Sequence, residues 1–245
     1  MAIRTLYSAR RGISAQKIIL QGDLADMTRN RYEQELEALN LDLIRMGAMT
    51  EQAIEQAMQV LDTCDIELAY KVIEADDAVD QMARQIETRS MKLIMKQQPV
   101  AGDLRIISAA LKMITDLERI GDQAADIAEI AVMLCKKPGG QKPGHIKEME
   151  KQAVDMVRAA VDSYVKMSAE AAGRVIQMDT AQDELFNTVK QELMELAYGD
   201  RNAIDYVVDF LLIIKYLERI SDHAENIADW TLFAIDGTHK NERIL

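Results

Sequence analysis

Leu117-Glu118-Arg119-Ile120-Gly121-Asp122-Gln123-Ala124-Ala125-Asp126-Ile127-Ala128-Glu129 returns one hundred residues later as Leu217-Glu218-Arg219-Ile220-Ser221-Asp222-His223-Ala224-Glu225-Asn226-Ile227-Ala228-Asp229. A repeat of this quality implies one structural unit built twice. On a helical wheel of about 100° per residue with Glu118 at zero, Leu104, Ile107, Leu111 and Ile114 fall within roughly 40°, and Asp122 lies about 40° to one side. Glu118 is therefore expected to continue the core-facing stripe, away from Arg105, Lys112, Asp116 and Arg119. Ile204, Val207, Leu211 and Ile214 lead up to Glu218 in the same way. Two acidic clusters stand where a helical bundle expects leucine.

Working outward from the first box, Pro99 and Gly102 open its helix, which is predicted to reach about residue 134. Before it, Leu36, Leu39, Leu43, Met46, Thr50, Ala53, Ala57 and Val60 keep a strict 3,4 spacing, the seam of one long helix over residues 32–61. Asp62-Thr63-Cys64-Asp65 reads as a turn with capping residues. A second helix runs to about residue 97, with Leu68, Val72, Ala75, Val79, Met82 and Ile86 as its seam. Residues 136–144, Lys-Lys-Pro-Gly-Gly-Gln-Lys-Pro-Gly, form the clearest linker, with two of the chain's 3 prolines and three of its 11 glycines. The plan then repeats, with helices over 146–175 and 179–197, a turn at Gly199-Asp200, and a sixth helix to about residue 235. The expected fold is all-α: two similar antiparallel three-helix bundles related by a pseudo-twofold. Their boundaries are 27–135 and 146–237, with a linker at 136–145 and a polar, frayed tail at 238–245.

Composition agrees with this. Aromatics make up 4% of the chain, and Ala, Leu, Ile, Met, Glu and Gln dominate. A net charge of -12 argues against nucleic acid and leaves cations or basic protein surfaces as partners. Cys64 and Cys135 stand far apart in helical contexts and read as buried free thiols of a reducing cytoplasm, in preference to a disulfide. No apolar run approaches the roughly 20 residues of a membrane span. Residues 1–26 differ from the rest, with Arg4, Arg10, Arg11 and Lys17 against only Asp23 and Asp26. They read as a disordered extension, or as the product of an upstream start, with Met27 as the true first residue.

The second helix of each half adds carboxylates at matching places. Asp76 and Asp80 parallel Asp179 and Asp183, each pair sharing a helix face and repelling itself. Near a bundle seam such repulsion grows unless a cation or a bound proton offsets it. Each half thus offers two acid pairs, Asp76/Asp80 with Glu118/Asp122 and Asp179/Asp183 with Glu218/Asp222. Asp126 and Asn226 extend the rows by one turn. All-oxygen ligation favours hard cations. The bland alternative is that Glu118, Arg119, Glu218 and Arg219 only make ion pairs and that the Asp rows are solvated. His223, one residue after Asp222, reads as solvated or partner-facing. No Gly-rich phosphate loop, nucleophile–base arrangement or Glu-x-x-His di-iron signature occurs, and the methionines at seam spacing read as core.

The doubled box resembles the two signature motifs of the PhoU family, accessory proteins of bacterial phosphate-specific transport. So do Gln98-Pro99-Val100-Ala101-Gly102-Asp103-Leu104-Arg105 ahead of it and Tyr32-Glu33-Gln34-Glu35-Leu36 at the start of the first helix. The resemblance covers residues 27–232 and leaves 1–26 unexplained, since family members begin near the Arg-Tyr-Glu stretch. It implies two three-helix bundles and metal binding at the repeated acidic motifs: Glu118, Asp122, Glu218 and Asp222, with Asp76, Asp80, Asp179 and Asp183 opposite. Iron is the metal implied first, with manganese, magnesium or zinc as the others. Asn226, where the first box has Asp126, implies a second site lower in charge. The resemblance further implies a cytoplasmic, non-enzymatic homodimer, peripheral to a membrane complex. Such a protein is a negative regulator of high-affinity phosphate uptake and of the phosphate-starvation two-component response. It acts by contact with the ATPase subunit of the phosphate ABC transporter and with a phosphate-sensing histidine kinase. The alternatives from other classes are a metal-handling helical protein that uses the clusters chemically, and a metal-free helical adaptor.

Overall fold

Few residues in this chain interrupt a helix, and the backbone breaks where they cluster. The structure, a computed structural model, describes residues 2–97, 99, 101–137, 141–240 and 242–243; the side chains of residues 2–31, 97 and 243 lie outside that description. The helices are α1 (Ala2–Thr63), α2 (Ile66–Gln97), α3 (Ala101–Cys135), α4 (Ile146–Val165), α5 (Ala169–Gly199) and α6 (Ile204–Asp236), with a 3₁₀ turn at Arg201–Ala203. The reading of residues 1–26 as an extension falls outside the described side chains.

Helix starts follow capping chemistry. The Asp65 carboxylate accepts from the Leu68 N–H at 3.0 Å and so begins α2. Ser168 does the same for α5, its hydroxyl accepting from the Ala171 N–H at 3.2 Å. This moves the break between α4 and α5 to Lys166–Ser168, about ten residues before the place expected from the sequence. Lys166-Met167-Ser168 contains no proline or glycine, and Met167 takes a left-handed φ of 47° that its residue type does not advertise. The tail is also better organised than expected. Thr238–His239 (β1) pairs antiparallel with Glu242–Arg243 (β2), and the His239 ring stacks on Trp230 with centroids 3.8 Å apart.

Within each half the three helices pack on one another, and the halves meet through α3 on α6 and α1 on α4. Both crossings are antiparallel. The start of α3 meets the end of α6, where Arg105 donates to the Ile235 carbonyl; the end of α3 meets the start of α6, where Lys137 holds Asp209. On the other side Glu51 pairs with Arg158, and Asp62 with Lys147. Pairing equivalent helices antiparallel is what a twofold relation between two like bundles produces. The α1–α4 crossing is close: a Cβ on Gly47 would sit 3.0 Å from Val161 Cγ2.

The core runs unbroken through both halves. The seam residues Leu39, Leu43, Met46, Thr50, Ala57, Val60, Val72, Val79 and Ile86 are buried as expected, whereas Ala75 faces solvent. In the central helices the expected phase is off by about one residue. Leu117, Ile120, Ala124 and Ile127, with Leu217, Ile220, Ala224 and Ile227, are fully buried. Leu104, Ile204 and Leu211 are 41%, 49% and 40% exposed. Glu118 and Glu218 therefore stand at the flank of the core stripe and not on its axis.

The cysteine expectation is overturned. Cys64 and Cys135 form a disulfide, with Cα atoms 5.5 Å apart across a sequence separation of 71. The reason is helix length: α2 and α3 run out and back over nearly equal distances, so the α1–α2 turn and the end of α3 arrive at the same end of the first bundle. Among the described residues no helix is long and apolar enough to cross a membrane.

Candidate metal centres

The first cluster forms where α2 passes α3. Gly121 permits that approach: a Cβ there would lie 3.0 Å from Asp76 Oδ1 and 3.3 Å from Val79 Cγ1. Asp76 Oδ1 is buried and lacks a hydrogen-bond partner. The residue borders a cleft of about 230 Å³ lined by Met49, Gln52, Gln56, Val72 and Val79. Burial, then Asp122, Asp80, Asp77 and Asp126, push its carboxyl up to about 6. Glu118 is raised by burial and by Asp80 and Asp122, with Arg119 and Arg84 pulling the other way. The five acids expected at this place, Asp76, Asp80, Glu118, Asp122 and Asp126, thus fall within one another's fields.

Several of them also have protein partners. Asp122 takes Arg119 at 2.9 Å, and Asp80 takes Arg84 at 3.5 Å. Asp126 accepts from the Tyr216 hydroxyl of the other bundle. These contacts belong to the bland reading; they do not reach Asp76 or Glu118, and of these two it is Asp76 that carries a buried oxygen without a hydrogen-bond partner.

The second cluster repeats the first with changes. Burial, then Glu225, Asp222, Asp183 and Glu218, push Asp179 up to about 7. Asp222 is raised by burial and Glu218, against Lys215. Lys215 pairs with Glu218, which stands one turn before Asp222. Ser221 replaces Gly121, and its buried hydroxyl donates to the Leu217 carbonyl. Asn226 lies half-buried, one turn beyond Asp222.

Glu225 is the residue the sequence reading missed. It is raised by burial, Asp229 and Asp222, and it is the first neighbour felt by Asp179. The signal was present, because Glu218, Asp222, Glu225 and Asp229 follow 4,3,4 spacing along one face. Ala125 holds the equivalent place in the first box, so Glu225 returns the negative charge that Asn226 removes. His223 is another correction. Its Nδ1 lies 2.8 Å from Asp116 Oδ1, both side chains are largely buried, and the pair ties α6 to α3.

Among the described residues no three His, Cys, Asp or Glu side chains stand close enough together, as placed, to hold a metal ion. What exists is a set of oxygen donors, mutually repelling and partly desolvated, with an orphaned carboxylate oxygen at Asp76. That chemistry suits a hard cation, as Mg²⁺, Mn²⁺ or iron would be, and not a thiolate-loving one.

The PhoU domain model matches this chain twice, over residues 43–131 and 146–231. The chain is 36% identical over 212 residues to a phosphate-specific transport system accessory protein PhoU homologue of Clostridium acetobutylicum, covering 86% of this chain and 97% of that protein. A homologue from Pseudomonas aeruginosa is 33% identical over 224 residues, covering 90% and 92%. The crystal structure of PhoU from Pseudomonas aeruginosa superposes with a TM-score of 0.79 at 34% identity, covering 84% of this chain and all of that one. The phosphate transport system regulatory protein PhoU from Streptococcus pneumoniae shares the fold, with a TM-score of 0.77 at 24% identity.

Proposed function

This chain belongs to the PhoU family, and on that premise we propose that it is an accessory regulator of phosphate-specific transport. In this reading it restrains high-affinity phosphate uptake and the phosphate-starvation response by contact. Its partners are the ATPase subunit of a phosphate ABC transporter and a phosphate-sensing histidine kinase. The observation that carries the reading is the two-domain match along nearly the whole length of relatives named as accessory proteins, not enzymes. The strongly acidic surface supports it too, since a basic partner patch is complementary to it.

The acid clusters supply the second part of the proposal. A bound hard cation would neutralise the carboxylates at each cluster. Asp76 and Asp80 would then hold α2 against Glu118 and Asp122 on α3, and Asp179 and Asp183 would hold α5 against Glu218, Asp222 and Glu225 on α6. Each bundle would present a stiff helical face in place of one pushed apart by like charges. The test is the affinity of the full chain for the transporter ATPase subunit, measured beside Asp122→Ala/Asp222→Ala. A loss of tenfold or more, about 1.4 kcal/mol, supports the metal-stiffened face. Equal affinity would make the clusters bystanders to docking.

A second reading is a metal-free adaptor. It is favoured by the pairs Arg119–Asp122, Arg84–Asp80 and Lys215–Glu218, which satisfy part of each cluster without any ion.

A further inference from the structure

Two of the ion-pair grips between the first bundle and the segments that follow it adjoin the disulfide. Asp62, two residues before Cys64, receives Lys142 of the linker and Lys147 of α4, each at 2.8 Å. Lys137, two residues after Cys135, reaches the Asp209 carboxylate at 2.6 Å and the Asp205 carbonyl at 3.0 Å on α6. The Cys64–Cys135 bond joins these two grips covalently. Without it they are separate, part-exposed ion pairs, each weak in water. Cys64 sits exposed in the α1–α2 turn at a left-handed φ of 51°, while Cys135 is half-buried, its sulfur 3.8 Å from the Val60 carbonyl oxygen.

We propose that Cys64–Cys135 is a reversible thiol–disulfide exchange site, open to small thiols or a dithiol protein, that latches the junction between the two bundles. The thiolate of the reductant attacks the exposed Cys64 sulfur. The sulfur–sulfur bond breaks, and Cys135 leaves with the electron pair and takes a proton from solvent. A second thiol of the reductant attacks the mixed disulfide at the reductant's own sulfur and releases Cys64 as a thiol. Two reductant thiols become one disulfide, two electrons pass to the protein, and two cysteine thiols result. The new Cys135 thiol then has an acceptor at hand in the Val60 carbonyl. With the bond gone, the end of α3 and the α1–α2 turn are no longer tied covalently. At this end of the junction the two ion-pair grips then act separately, while the apolar packing of α3 on α6 and of α1 on α4 remains. In a thiol-rich compartment the latch stands open and closes on oxidation. This inference does not depend on metal binding or on the regulatory reading.

The test uses the native full chain. Iodoacetamide labelling counted by mass comes first, without reductant and then after dithiothreitol with no denaturant. Amide hydrogen exchange follows on both forms and on Cys135→Ser. The expected result is no label before reduction and two labels within minutes after it. Exchange at residues 131–137 and 205–209 rises on reduction by on the order of tenfold, and Cys135→Ser shows the raised rate with or without reductant. The proposal is overturned if both cysteines label without reductant, if reduction requires denaturant, or if the reduced protein exchanges like the oxidised one.

Discussion

Asp76 and Asp179 hold equivalent places on α2 and α5, and burial with neighbouring carboxylates pushes them to about 6 and about 7. In ion-free protein each is a half-buried charge with no cation to answer it. Asp76→Asn or Asp179→Asn keeps the shape and removes the repulsion. Solvent reaches both groups, so the gain is discounted to about 1 kcal/mol, or about 2–4 °C in melting temperature for a chain of this size. Thermal melts of chelator-treated protein at pH 8 check this, and a lower melting point in either variant contradicts it. Apart from Glu225, the carboxylates that come together were legible in the sequence, because i, i+4 acids on adjacent helices recur with the repeat. The role of His223 was not. Its partner Asp116 is 107 residues away, and only the antiparallel crossing of α3 on α6 makes them neighbours.

Between elements, the packing of α4 on α1 carries a pH-sensitive group. Burial pushes Glu150 of α4 up to about 7; Asp62 and Glu55 of α1 add to the shift, and Lys147 on its own helix opposes it. Lys142 reaches the same Asp62, and Asp155, Arg158 and Lys151 line the same groove. A carboxyl raised in the folded state binds its proton more tightly there than in the unfolded chain. Its stabilising contribution is complete below the unfolded value of 4.5 and is lost as pH rises through about 7. Glu150→Gln is expected to match the parent at pH 4.5 and to melt a few degrees higher at pH 8. Parallel melting curves across that window would contradict the assignment. A hydrogen bond from α4 to α3 offers a second test between the bundles. Tyr164 is 1% exposed, and its hydroxyl donates to the Ile106 carbonyl at 2.8 Å across the bundles. Tyr164→Phe is expected to destabilise by about 1 kcal/mol in denaturant titration, and no change would place that bond outside the stability of the junction. Helix existence was readable throughout from the 3,4 spacing. The α4–α5 break was not, because Ser168 caps the helix inside a stretch whose apolar pattern runs on, with no proline or glycine at Lys166–Ser168 to mark the break.

For the whole molecule, the doubled box was enough to imply two like bundles, since neither copy alone buries its apolar face. The phase of the central helices misled by one residue because α3 and α6 pack on two sides, against their own bundle and against each other. A wheel drawn for one face places Leu104, Ile204 and Leu211 in the core, whereas the structure leaves them exposed. The disulfide was equally hidden, because a separation of 71 residues becomes a contact only when α2 and α3 are seen to match in length. Family membership rests on all of the repeat; the acid clusters are the part of it that gives the fold a chemistry. The decisive measurement is therefore elemental analysis of the full chain purified without chelator, beside Glu118→Ala/Asp122→Ala/Glu218→Ala/Asp222→Ala with its helicity checked by circular dichroism. The account predicts stoichiometric iron, manganese or magnesium in the parent and none in the folded variant. A parent free of metal would contradict it and leave the metal-free adaptor as the reading of these acidic rows.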